Sequence, residues 1–157
     1  MLRARTVRLQ KNLQCKTIDW YLSNVALDMI LPSDDFIHFG KFRVNTGHCL
    51  VNNNDMLEMD LCKPMMYQTE MIFEIDVYGK LSNALKCVSA LTKDKIALKT
   101  CNDVTDNEIW AINNNQQLIN RAFDGFCLEY TQSGSPPLEL KPCSDKIRGQ
   151  IWTVVKY

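Results

Sequence analysis

Cys49 and Cys62, Cys87 and Cys101, and Cys127 and Cys143 stand 13, 14 and 16 residues apart, and the chemistry open to cysteines at such separations is oxidative cross-linking. Metal binding is the competing use. Zinc sites present their cysteines about two to four residues apart, whereas this sequence has no such pair and its two histidines, His38 and His48, are not spaced as partners. The adjacent carboxylates Asp34 and Asp35 lie in a Pro-Ser-Asp-Asp stretch, which reads as a turn or linker rather than an acid/base pair.

Six cysteines admit many pairings, and a repeat selects one of them. Cys49-Leu50, Cys87-Val88 and Cys127-Leu128 each open a copy, and a large aromatic residue follows 9 to 11 positions after the second cysteine: Phe73, Trp110, Trp152. The copies begin 38 and 40 residues apart. Self-similarity at this period means that one supersecondary unit was copied and that the copies bury a common core. Each copy should close on itself, giving disulfides Cys49–Cys62, Cys87–Cys101 and Cys127–Cys143. Loops of this length are worth about 3 kcal/mol each in the chain-entropy model, and such bonds imply folding in the secretory pathway.

Cys15 is left over, as a free thiol or as half of a bond to a segment outside this sequence. The 157 residues suffice for one domain with a sizeable core. With 18 basic and 18 acidic residues the net charge is zero, which argues against nucleic acid or an anionic membrane surface as the main partner. Arg3, Arg5, Arg8, Lys11 and Lys16 outnumber Asp19 and Asp28 before Pro32, and read as a solvated helix face. No apolar run is long enough to span a membrane, and Met1 to Lys16 has no hydrophobic signal-peptide core. A chain with disulfides and no export signal reads as the C-terminal part of a longer secretory-pathway protein, or as a truncated gene product. It has no Asn-x-Ser/Thr sequon, so N-glycosylation is not expected.

The elements that must position these residues divide at about residue 36. Before it, Thr17 can cap a short helix with Ile18, Tyr21, Leu22 and Val25 on its buried stripe, ended by Pro32 and the acidic pair. After it, short alternating segments such as Lys41 to Val44, Met56 to Leu61, Lys95 to Lys99 and Leu138 to Lys141 read as strands, with turns at Asn52 to Asp55 and Ser133 to Pro136. Three copies of about four strands close into a threefold barrel with a hairpin cap, a closure that leaves no open sheet edge. A propeller also suits the period but takes about four or more blades. The expected fold is therefore all-β: a β-trefoil over residues 36–157, with repeats at about 38–75, 76–114 and 115–157, preceded by the short helix within 1–35. Phe73, Trp110 and Trp152 fill its shared core. Gln150, two residues before Trp152, can bond backbone groups of a neighbouring turn, and Glu108 can do part of the same job.

The cysteine-hydrophobic openings, the second cysteines and the Gln-x-Trp closing resemble the ricin-type lectin fold over residues 38–157. The leader Asn12-Leu13-Gln14-Cys15-Lys16-Thr17-Ile18-Asp19-Trp20-Tyr21-Leu22 resembles the segment that joins the catalytic domain of polypeptide N-acetylgalactosaminyltransferases to their C-terminal lectin domain. The resemblance implies mucin-type O-glycosylation in the Golgi lumen. It also implies a lectin domain that binds N-acetylgalactosamine (GalNAc) already on a glycopeptide or glycoprotein, and an upstream catalytic domain that uses manganese and supplies the partner of Cys15. No cofactor is expected in this chain. Neither His38 nor His48 has an aspartate two residues before it, so the family's Asp-x-His manganese motif is missing and this chain alone is not expected to transfer sugar.

A sugar site needs an acceptor carboxylate, a surface for the C–H face of the ring, and an amide. In the family the carboxylate is an aspartate two positions after the first cysteine; here those positions hold Val51, Ser89 and Glu129. The stacking aromatic, two before the second cysteine, is replaced by Asp60, Lys99 and Lys141. The histidine just after that cysteine is replaced by Lys63, Asn102 and Ser144, and the amide three before the anchor survives only as Asn107, with Glu70 and Gly149 elsewhere. The candidate carbohydrate-binding residues are thus Glu129 in the third repeat and Ser89, Asn102 and Asn107 in the second, while the first looks unable to bind sugar. The alternative is a trefoil that binds no sugar and serves as a scaffold or protein-docking surface.

Overall fold

Alternating segments become twelve strands among the residues that the computed structural model describes, which are 36–63, 69–101 and 105–156. The first repeat supplies β1 (Phe36–Val44), β2 (His48–Asn53), β3 (Met56–Leu61) and β4 (Ile72–Asp76). The second supplies β5 (Leu81–Asn83), β6 (Lys86–Thr92), β7 (Lys95–Thr100) and β8 (Trp110–Ile112); the third β9 (Leu118–Asn120), β10 (Phe126–Tyr130), β11 (Leu138–Pro142) and β12 (Trp152–Val155). The helix expected at Thr17 to Val25, the acidic pair Asp34-Asp35, Cys15 and Asn102 lie outside the described residues.

The pairing makes a ring with three hairpins on it. Between copies, β4 pairs with β5, β8 with β9, and β12 with β1, all antiparallel. Within copies β1 neighbours β4, and the bridges Lys80 to Ile109 and Gln117 to Ile151 join the other two equivalents. The six strands close on themselves, which is the β-trefoil barrel expected from the period. The remaining strands form the hairpins β2–β3, β6–β7 and β10–β11. The first hairpin turns tightly because Asn54 and Asp55, the residue types that tolerate it, both take positive φ, 51° and 66°.

Arg43, Ser82 and Ile119 stand opposite the first cysteine of each copy, so Phe42, Leu81 and Leu118 just before them are equivalent. All three are fully buried. Leu50, Val88 and Leu128 make a second set, and Phe73, Trp110 and Trp152 a third, none more than 1% exposed. Each such side chain contributes about 1.5–3 kcal/mol by leaving water, and the three sets belong to one continuous core. The indole N–H of Trp110 donates to the Val88 carbonyl at 2.8 Å and that of Trp152 to the Leu128 carbonyl at 3.0 Å. Phe73 has no such donor and packs edge-on against Phe42 instead.

One device closes the base of each hairpin and a second leads the chain back to the barrel. Disulfides join Cys49 to Cys62, Cys87 to Cys101 and Cys127 to Cys143. A short 3-10 turn then precedes the fourth strand of every copy, at Thr69–Met71, Asp106–Glu108 and Arg148–Gln150. Asn83 fixes the first of these turns by donating to the Thr69 and Ile72 carbonyls, both at 2.7 Å, and Asn120 fixes the second by donating to the Asn107 carbonyl at 2.8 Å.

Candidate functional site

Two positions per repeat decide what its outer face can do. One lies on the second strand, two residues after the first cysteine; the other ends the 3-10 turn, two residues before the aromatic anchor. In the third repeat these are Glu129 and Gln150. The Gln150 amide donates to Glu129 Oε1 and to the Pro142 carbonyl, both at 3.0 Å, while its Oε1 accepts from the Ser144 N–H at 2.9 Å and from the Gln117 amide at 3.4 Å. Gln150 is fully buried. Glu129 is half-buried and also accepts from the Thr131 hydroxyl at 3.4 Å. A carboxylate fixed by an amide and still partly exposed keeps lone pairs that can accept further hydrogen bonds.

The rest of that face is charged. Register places Glu139 on β11 opposite Glu129, and Lys141, at the stacking position, forms an ion pair with Glu139 at 3.1 Å. Lys141 supplies no ring to stack. Gly149, where the family amide would stand, packs so closely that an added Cβ would collide with the Tyr130 carbonyl oxygen, so no side chain fits there.

The second repeat brings Ser89 and Asn107 together. Asn107 donates its amide to the carbonyl of Ala90, the residue after Ser89, at 2.6 Å, which leaves its Oδ1 as the acceptor it can offer. Ser89 is 1% exposed and faces Ala97 across the hairpin; Lys99, at the stacking position, is exposed. Glu108 ends the turn where Gln150 does in the third copy. Glu129 sits on a different sheet from Ser89, so the candidate residues form two sites and not one.

The first repeat is apolar at the same two positions. Val51 and Met71 pack with Cys49 and Cys62 in a small cluster of their own, and the outer residues Asp60 and Lys63 are exposed. Val51 offers no side-chain acceptor. A cavity of about 480 Å³ under the hairpins is lined by Leu57, Ile96, Tyr130 and Leu138 among others, and contains none of the candidate residues.

The sequence reading missed the role of Gln150 as the group that aims Glu129, because the contact depends on how the turn folds onto β10. Its signal was the Gln-x-Trp spacing of Gln150 and Trp152. No group of three or more His, Cys, Asp or Glu side chains that could hold a metal occurs among the described residues. Manganese therefore has no set of ligands among them and enters no step here. His38 titrates below its ordinary range, through burial first and Lys156 second; burial and then Asp60 raise Tyr130, whose ring lies 5.0 Å from that of His48.

The ricin-type beta-trefoil lectin domain matches residues 38–154. The chain belongs to that family. It is 26% identical over 153 residues to the probable N-acetylgalactosaminyltransferase 7 of Caenorhabditis elegans, a match covering 92% of this chain and 25% of that protein. The chain thus spans about a quarter of the length of the curated relative it matches. Among solved structures it is similar to GalNAc-T7 with UDP, GalNAc and Mn2+, with a TM-score of 0.67, 17% identity, and coverage of 97% of this chain and 29% of that one. It is also similar to the agglutinin of Abrus precatorius, with a TM-score of 0.66, 12% identity, and coverage of 79% and 48%. By family the chain is a carbohydrate-binding module, and the relative and the structure that it resembles over most of its length are both N-acetylgalactosaminyltransferases. Its disulfides fit the secretory pathway, and among the described residues no helix is long and apolar enough to cross a membrane.

Proposed function

We propose that this chain is the GalNAc-binding lectin module of a polypeptide N-acetylgalactosaminyltransferase, engaging sugar already present on a glycopeptide during mucin-type O-glycosylation in the Golgi lumen. The observation that carries this is the half-buried carboxylate of Glu129, held by the fully buried Gln150 amide at 3.0 Å. The upstream catalytic domain, with Cys15 as a disulfide half, and manganese in that domain belong to the same reading.

Titration of the disulfide-intact chain with a GalNAc-bearing glycopeptide tests it. Saturable binding is expected, weakened at least tenfold at the third repeat by Glu129→Ala, since removing a charged acceptor forfeits about 1.5–3 kcal/mol. Absence of any response up to tens of millimolar sugar, roughly the weak end of a measurable affinity, would reject the reading. A second reading has its own support: Asp60, Lys99 and Lys141 leave no repeat with a stacking ring at that position, and Lys141 is committed to Glu139. On that reading the trefoil is a scaffold or docking surface, and the same silent titration is its expected result.

A further inference from the structure

The strand and turn positions compared above form a pair in each repeat, and two of the pairs are chemically matched. Val51 with Met71 is apolar against apolar; Glu129 with Gln150 is acceptor against donor. Ser89 with Glu108 is neither. Glu108 is 3% exposed, and its Oε2 is fully buried with no hydrogen-bond partner among the described residues. Serine is too short to span the gap that Glu129 bridges in the third repeat.

An orphaned acceptor at this depth costs stability, and glutamine, which the third repeat uses at the same position, would supply a donor instead. Retaining an acid there needs a reason. The geometry points to Glu108 as the relocated carboxylate of the second repeat, a positioning residue that draws a hydroxyl of a polyhydroxylated ligand toward Ser89 through one bound water. Such a water needs about two to four polar partners, and the Glu108 carboxylate and the Ser89 hydroxyl, at the two positions that pair in the third repeat, supply two. Asn107, whose amide is spent on the Ala90 carbonyl, keeps its Oδ1 as a further acceptor on the same turn. The second repeat therefore has its acid after all, on the turn instead of the strand, and the inference rests on the carbohydrate reading above.

The test uses the full chain and reads each repeat separately. The indole N–H of Trp110 lies in the second repeat and that of Trp152 in the third, so their NMR resonances report on the two sites during titration with a GalNAc-bearing glycopeptide. Both are expected to shift. Glu108→Gln should leave the melting midpoint equal or higher while weakening the Trp110 response at least tenfold and sparing that of Trp152. Ser89→Glu combined with Glu108→Gln, which recreates the third repeat's arrangement, should restore it to within about threefold, a rescue that a purely structural Glu108 does not predict. If Trp152 responds and Trp110 does not, or if Glu108→Gln leaves the Trp110 response intact, the inference is overturned and the carbohydrate reading stands. If neither indole responds, both fall.

Discussion

The indole nitrogen of Trp152 separates two contributions that a core residue makes. Its ring fills the barrel, and its N–H satisfies the Leu128 carbonyl at 3.0 Å. The first repeat already carries phenylalanine at the equivalent place, so Trp152→Phe should keep the fold and lose about 1–3 kcal/mol, against about 3–5 kcal/mol for Trp152→Ala. Urea unfolding of the two variants checks this, and equal losses would contradict it. Glu74 supplies a pH dependence of the less usual sign. Burial is the main cause that raises its carboxyl above the ordinary range, partly opposed by the Ser82 hydroxyl that donates to it at 3.3 Å. The folded state therefore holds this proton more tightly than the unfolded chain. The contribution is full below the ordinary glutamate value of about 4.3 and is lost as pH rises through the elevated folded value. Glu74→Gln should flatten that part of the melting-temperature profile; an unchanged profile would assign it to other groups.

At the scale of elements, the three hairpins are close to interchangeable in their covalent closure. Separations of 13, 14 and 16 residues differ by only about 0.2 kcal/mol in loop entropy. Replacing any one cysteine pair by serine should therefore cost about 3 kcal/mol, much the same in each copy, as measured by the denaturant midpoint. A loss confined to one copy would show that the repeats do not share the load. These hairpins were legible in the sequence because cysteine spacing and period-two alternation are local signals. Register was not. That Glu129 faces Glu139 while Ser89 faces Ala97 follows from hairpin alignment, and alignment is set by turns whose geometry composition does not encode. The turn expected at Asn52 to Asp55 illustrates this: β2 runs on to Asn53 and the chain reverses at Asn54 and Asp55. The missing partner of Glu108 was likewise invisible, since a sequence shows the acid and not the depth at which it lies.

At the scale of the molecule, threefold repetition gives one core from three units, none of which has enough apolar surface to fold alone. The period and the anchors made that architecture readable from residue types, while the differences between copies had to wait for the barrel to bring equivalent positions into comparison. The ring is shut by β1 against β12, from Lys41 beside Val155 to Val44 beside Trp152. Protein synthesis makes β1 first among these strands and β12 last, so the opening strand must wait while more than a hundred residues emerge behind it. Until then the nascent sheet keeps two raw edges, the kind that chaperones cover and that neighbouring chains adhere to. A message cut short before the Trp152 codon would yield every hairpin and all six of these cysteines, yet leave a barrel that cannot be sealed.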